Sequence, residues 1–173
     1  MMRRFDRQRI GAALLALALT VMADRACAVE ALASLSFLTG HWDAERGPVT
    51  APNRGGTSDI GPDLNGAILV RRDRTHMPDG GDLDMMMTVY VEDGRLRADF
   101  FDSAGHVIHY HVSELTPGRR VQFVNDPVPE APGFRLTYTE ADAAHLSVRF
   151  EIAPPGPRPT FAVFAEGTLS RRP

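Results

Sequence analysis

Three groups of side chains in this chain have types and spacings that could do chemistry. The first is His106-x-x-His109-x-His111. If the segments around 95–101 and 107–113 form a hairpin, Asp99 faces His109 and Arg97 faces His111 across the strands. Two imidazoles and a carboxylate on one sheet face could hold a divalent ion with an open position. The plainer reading is a solvated outer face on which Asp99 pairs with His109. The second group is Met85-Met86-Met87. Soft thioethers bind copper in an oxidising compartment, but flexible Met side chains also line adaptable apolar cavities or fill cores. The third is a pair of phenols, Tyr110 and Tyr138, on otherwise apolar strand faces. A buried phenol needs a partner, either a protein group or the polar end of a ligand. Arg72, Arg74 and Arg135 are cations that a twist or bulge would turn towards a carboxylate.

Catalytic signatures are missing. The chain has no Gly-x-Ser-x-Gly, no His-Glu-x-x-His, no phosphate loop and no dinucleotide fingerprint. The reading leans away from an enzyme, and no catalytic residue, metal ligand or cofactor is assigned. All 19 basic residues are Arg, set against 22 acidic residues, for a net charge of -3. That balance argues against general nucleic-acid binding.

The N-terminus reads as an export segment. Arg3, Arg4, Arg7 and Arg9 precede an apolar run from Ile10 to Ala23, too short to span a bilayer comfortably. Ala26-Cys27-Ala28 follows with the small-x-small pattern of a cleavage site. Residues 1–28 are therefore expected to be a cleaved signal peptide, with 29–173 as one domain in the periplasm or outside the cell. Cleavage removes five Arg and two acidic residues, leaving 14 against 20, a net charge of -6. It also removes the one Cys, which excludes thiol catalysis, Cys-ligated zinc and disulfides from the remainder. No stable membrane insertion is expected after cleavage.

Elements that could position these residues follow from periodicity. Leu32, Leu35 and Phe37 have helical spacing and predict a short helix. Beyond residue 38 the pattern has period two. It predicts about ten strands, near 40–46, 56–61, 66–76, 83–92, 95–101, 106–115, 119–125, 133–140, 143–153 and 159–171. Turn residues at 92–94, 102–106 and 116–118 make neighbouring strands antiparallel. A meander of that length removes its two edges by closing into an up-and-down barrel, so the expected fold class is all-β.

Alternation assigns the interior. Leu83, Met85, Met87, Val89, Val91, Leu96, Ala98, Phe100, Ile108, Tyr110 and Val112 share one face. Val121, Phe123, Phe134, Leu136, Tyr138, Leu146, Val148, Phe150, Ile152, Phe161, Val163 and Ala165 continue it. From this face, Met85, Met87, Tyr110, Phe123, Tyr138 and Phe150 are the expected ligand-binding residues. Ten strands make a wider barrel than eight, which favours an internal cavity. A structural module with a filled barrel is the alternative.

Residues Phe37-Leu38-Thr39-Gly40-His41-Trp42 carry a resemblance. A short helix followed by Phe-Leu-x-Gly-x-Trp entering the first strand resembles the lipocalin-like (calycin) superfamily. Stretches 99–110 and 150–156 look like uncharacterised secreted bacterial proteins of that type. The resemblance covers roughly residues 32–172 in strand layout. It implies that Gly40 bends the first strand into the barrel floor, that Trp42 plugs it, and that Arg171 or Arg172 packs over Trp42. It further implies a small apolar or amphipathic molecule bound inside the barrel. The superfamily's haem-binding branch supplies a late-strand His, which here points to His145. A haem or metal protein using His145 or the His109/His111 face is thus a further alternative.

Overall fold

The computed structural model describes residues 27–45, 54–126, 128, 130–156 and 160–173. Residues 27–33 are helical, and a single 3-10 turn, Ser36–Leu38, leads into the first strand. Ten strands follow: β1 (Gly40–Ala44), β2 (Gly56–Asp63), β3 (Ile68–His76), β4 (Asp82–Glu92), β5 (Arg95–Asp102), β6 (Val107–Thr116), β7 (Arg120–Asn125), β8 (Gly133–Asp142), β9 (His145–Ala153) and β10 (Ala162–Arg171). Each pairs antiparallel with its chain neighbours, and β10 returns to β1, so the sheet closes with no free edge. The expected all-β up-and-down barrel with a short N-terminal helix is the observed fold.

Local chemistry explains the tight ends. At the β4–β5 connection Asp93 and Gly94 both have positive φ, 49° and 71°. That is the two-residue hairpin turn whose twist matches the flanking strands. The expected segment 1–28 and the loop 47–56 lie largely outside the described residues.

One end of the barrel is closed from within. Leu35, Phe37 and Leu38 are buried there with Trp42. The indole N–H of Trp42 donates to the Leu38 carbonyl at 2.9 Å. The Arg171 guanidinium lies 4.1 Å from the centre of the Trp42 ring and donates to the Thr39 carbonyl. Trp42 and Arg171 are direct register partners on β1 and β10, so closing the sheet is what brings them together. Gly40 has φ 150°, and a Cβ there would collide with Arg171 Nη1. The glycine thus gives the arginine room to reach the indole. Gly118, in the β6–β7 turn, donates to the Ser34 carbonyl and ties the helical segment to this end.

Alternation predicts the interior well from β4 to β9 and for Ala165 on β10, which pairs with Phe150, and fails for Phe161 and Val163 at the start of that strand. The ladder shifts register between Val163 and Ala165, which leaves Phe164 as the extra residue of a bulge. Val163 pairs with Glu151, on the outer face, and is half exposed. Phe161 also lies outside, where its ring covers Gly133 and stacks 4.3 Å from the Arg135 guanidinium. Strict period-two counting carries both residues inward because it cannot register the inserted residue.

Six histidines each sit against an aspartate: His41 with Asp59, His76 with Asp82, His106 with Asp102, His109 with Asp99, His111 with Asp126, and His145 with Asp142. The Asp142 carboxyl is held below its ordinary pKa by the Ala144 backbone N–H and by His145. For Asp126, burial pushes the other way, but hydrogen bonds from Arg97 and His111 outweigh it and the pKa falls. Asp102 is likewise lowered, its partial burial outweighed by the backbone and ring of His106. A carboxylate with a depressed folded pKa stabilises the fold above its unfolded value of about 3.9 and loses that contribution as pH falls through the folded value. The urea midpoint is therefore expected to drop as pH is lowered below about 4. A variant with Asp126→Asn and Asp142→Asn should show a shallower drop. Identical acid profiles for the two proteins would contradict this account.

Candidate functional site

The barrel interior has a polar centre set in apolar walls. β3 supplies it. Leu69, Arg71 and Asp73 alternate onto the inner face, where they pair in register with Val89, Met87 and Met85 of β4. Sequence reasoning places Arg72, Arg74 and Arg135 as the candidate cations, and the structure replaces them with Arg71. Arg74 bonds Asp84 on the outside, and Arg135 makes a two-pronged contact with Glu151, also on the outside. The apolar run Ile68-Leu-Val70 hides the parity of β3. Its register against Met85 and Met87 was the signal that could have set it.

Arg71 and Asp73 form a buried ion pair through Nη2 and Oδ2. The contact is end-on and leaves one atom of each partner over. Arg71 Nη1 and Asp73 Oδ1 are buried without a hydrogen-bond partner, as are Tyr138 Oη and Ser58 Oγ. Ser58 is the register partner of Asp73 on β2. The Arg71 guanidinium lies 5.6 Å from the centre of the Tyr138 ring. Buried polar groups are almost always satisfied, because an unpartnered one costs about 1–3 kcal/mol. Arg71, Asp73, Tyr138 and Ser58 contribute one such atom each.

Charge at this centre is fixed. Burial alone would lower the Arg71 pKa, but Asp73 and the neighbouring phenols outweigh it and raise it. Burial raises both Tyr110 and Tyr138, with Arg71 only partly opposing it. Both phenols therefore stay protonated, and Tyr138 presents an O–H donor.

Below the ion pair, towards the closed end, Arg71 and Tyr138 line a cavity with Leu38, Ile60, Met87 and Phe123. Its volume is about 10 Å³, room for a single water. The strand count favours a larger space, but Arg71, Phe123, Tyr110 and Tyr138 take it up. Phe123 packs edge-on against Tyr110 with ring centres 6.4 Å apart.

Towards the other end the inner face opens. Phe100, Ile108, Phe134 and Phe150 pack on the core but are only partly buried. Phe134 stacks on Phe150, and Phe150 meets Phe164 edge-on, each with centres 6.0 Å apart. Phe164 is 59% exposed. Among the six expected ligand-binding residues, Met87, Tyr110, Phe123 and Tyr138 lie buried at the centre, while Met85 and Phe150 stand in the half-open part. Arg71, Asp73 and Ser58 belong to the same interior, as do Phe134 and Phe164.

The histidines lie elsewhere. Asp99 faces His109 and Arg97 faces His111, as the hairpin predicts. However, His109 bonds Asp99 while His111 bonds Asp126, which Arg97 also holds. Among the described residues no three His, Cys, Asp or Glu side chains gather as a metal-binding set. His145 is engaged by Asp142 at the β8–β9 turn.

No family model and no curated protein matches this chain. Among solved structures, that of EF1p2_mFAP2b bound to DFHBI aligns with it at 12% identity and a TM-score of 0.38, covering 81% of this chain and 98% of the other. Among the described residues no helix is long and apolar enough to cross a membrane.

Proposed function

We propose that this protein is an exported, small-molecule-binding barrel of the lipocalin-like (calycin) superfamily, from an uncharacterised secreted bacterial branch. Its signal peptide, residues 1–28, is removed after Ala28, and the barrel works in the periplasm or outside the cell. The ligand is a small apolar or amphipathic molecule. Its apolar part lies against Met85 and Phe150 in the half-open end, and its polar end meets the centre among Met87, Tyr110, Phe123 and Tyr138. The observation that carries this reading is the set of unpartnered buried atoms on Arg71, Asp73, Tyr138 and Ser58 inside an apolar barrel. A barrel evolved only to be stable would fill that position with apolar side chains.

Native mass spectrometry of the protein purified from the periplasm, with an absorbance scan of the same sample, tests the proposal. Excess mass that is lost on denaturation is the expected result. Met87→Arg, which buries a second cation beside Arg71, is expected to abolish the excess mass and to weaken the fold by about 3–5 kcal/mol. Undiminished excess mass in that variant would place the ligand elsewhere.

A filled barrel acting as a structural or partner-binding module is the second reading. The size of the cavity, about one water, favours it. Bare protein mass in every preparation, with no ligand gained on titration, would select this reading.

A further inference from the structure

We infer that the barrel selects ligands with a neutral head that both accepts and donates hydrogen bonds, of the primary-amide class, and discriminates against the corresponding carboxylate. The inference rests on the ligand-binding reading above and specifies which chemistry it recognises.

The argument is one of charge and of complementary atoms. Arg71 is the cation at the centre, and Asp73 already neutralises it in a buried pair. A carboxylate entering there gains no net positive charge, yet loses its hydration, which is costly in a site of this kind. Its oxygens also only accept, so Asp73 Oδ1 would face a second anion. The atoms left over ask for something else. Arg71 Nη1 and Tyr138 Oη are donors, and the phenol keeps its proton because burial raises its pKa. Asp73 Oδ1 is an acceptor, and Ser58 Oγ serves as either. A carboxamide matches this set: its carbonyl accepts from Arg71 Nη1 and Tyr138 Oη, and its NH2 donates towards Asp73 Oδ1. The single Nη2–Oδ2 contact of the ion pair is what keeps a carboxylate oxygen of Asp73 available beside the Arg71 Nη1 donor; a two-pronged pair, such as Arg135 with Glu151 on the outer wall, would occupy both carboxylate oxygens. The flexible side chain of Met87, which lines the same cavity, is the wall best able to give way.

Matched probes make the test. Decanamide and decanoate share their alkyl chain, and decanoate is fully ionised at about pH 8. Calorimetric titration of the full barrel is expected to show decanamide binding at least about tenfold more tightly, the scale set by one charged group losing a compensating partner. Tyr138→Phe keeps the buried ring and removes a hydroxyl whose one neighbouring charged group of opposite sign is Arg71, so its fold is retained. It is expected to weaken decanamide several-fold and leave decanoate unchanged. Asp73→Asn removes the neutralising charge and is expected to reverse the preference towards decanoate. Equal or tighter binding of decanoate by the unaltered barrel would overturn the head-group inference and leave the ligand-binding reading standing. If neither probe binds and no ligand mass is retained, that reading falls and takes the inference with it. A decanamide preference untouched by Tyr138→Phe would also overturn the assignment of the head to this centre.

Discussion

Trp42→Ala is expected to lower the unfolding free energy by about 3–5 kcal/mol, the range for truncating a buried aromatic side chain to alanine. The side chain is fully buried at the closed end and touches three kinds of neighbour. It fills the space under Leu35 and Leu38. It donates to the Leu38 carbonyl, which would be left without that donor. It is also the surface on which Arg171 lies, so the substitution frees a cation at the seam between β1 and β10. That seam is the point of barrel closure, where a short three-residue ladder and the Ser170–Glu45 and Arg172–Asp43 contacts also join β1 to β10. The measurement is a urea titration followed by far-UV circular dichroism, since Trp42 is the chain's only tryptophan. Trp42→Phe keeps most of the ring and loses the N–H, and should cost about 1–2 kcal/mol from the hydrogen bond and the smaller volume. A cost below about 1 kcal/mol for Trp42→Ala would mean that the floor does not hold the barrel shut.

The second large effect lies at the polar centre. Asp73→Leu leaves Arg71 as a buried cation without a counter-charge and is expected to cost about 3–5 kcal/mol. Replacing both partners, with Arg71→Met added to Asp73→Leu, is expected to recover stability to within about 1 kcal/mol of the original or beyond it. A buried pair costs much of its attraction in lost hydration, so two well-packed apolar side chains serve the fold as well. The same double variant should lose ligand binding, because its donors and acceptor are gone. Stability regained with binding lost would separate what the pair does for the fold from what it does for the ligand. A double variant as unstable as the single one would show instead that the pair is needed for packing, and the functional argument built on it would weaken.

These two sites differ in how far they could be read from the residues alone. The barrel was legible because period-two alternation and regular turn residues are local properties. A strand with one apolar face has only one parity that buries it, and a long meander has only closure to remove its edges. The floor was expected from a resemblance and not from period. The Phe37-Leu-x-Gly40-x-Trp42 stretch implied Gly40, Trp42 and either Arg171 or Arg172, and the pairing of β10 with β1 selects Arg171. Met87, Tyr110, Phe123 and Tyr138 followed from the same parity.

Arg71 and Asp73 were not legible, and neither were Phe161, Val163 and Phe164. Parity for β3 is ambiguous in a run of three apolar residues followed by four consecutive charged ones, Arg71 to Arg74, and the energetic habit is to turn charges outward. Only the pairing of β3 with β4 fixes Arg71 opposite Met87, and only mutual neutralisation makes two inward charges tolerable. On β10 a single inserted residue at Phe164 turns Phe161 and Val163 outward, while Ala165 beyond it keeps the inward place that counting gives it opposite Phe150, and an insertion is visible only against a partner strand. By itself, then, the sequence determined the all-β barrel, its closure and most of its lining, because those depend on local period and hydrophobic parity. The tertiary structure decided the polar centre, the state of its unpartnered atoms and the filling of the interior, because those depend on which side chains meet across the barrel.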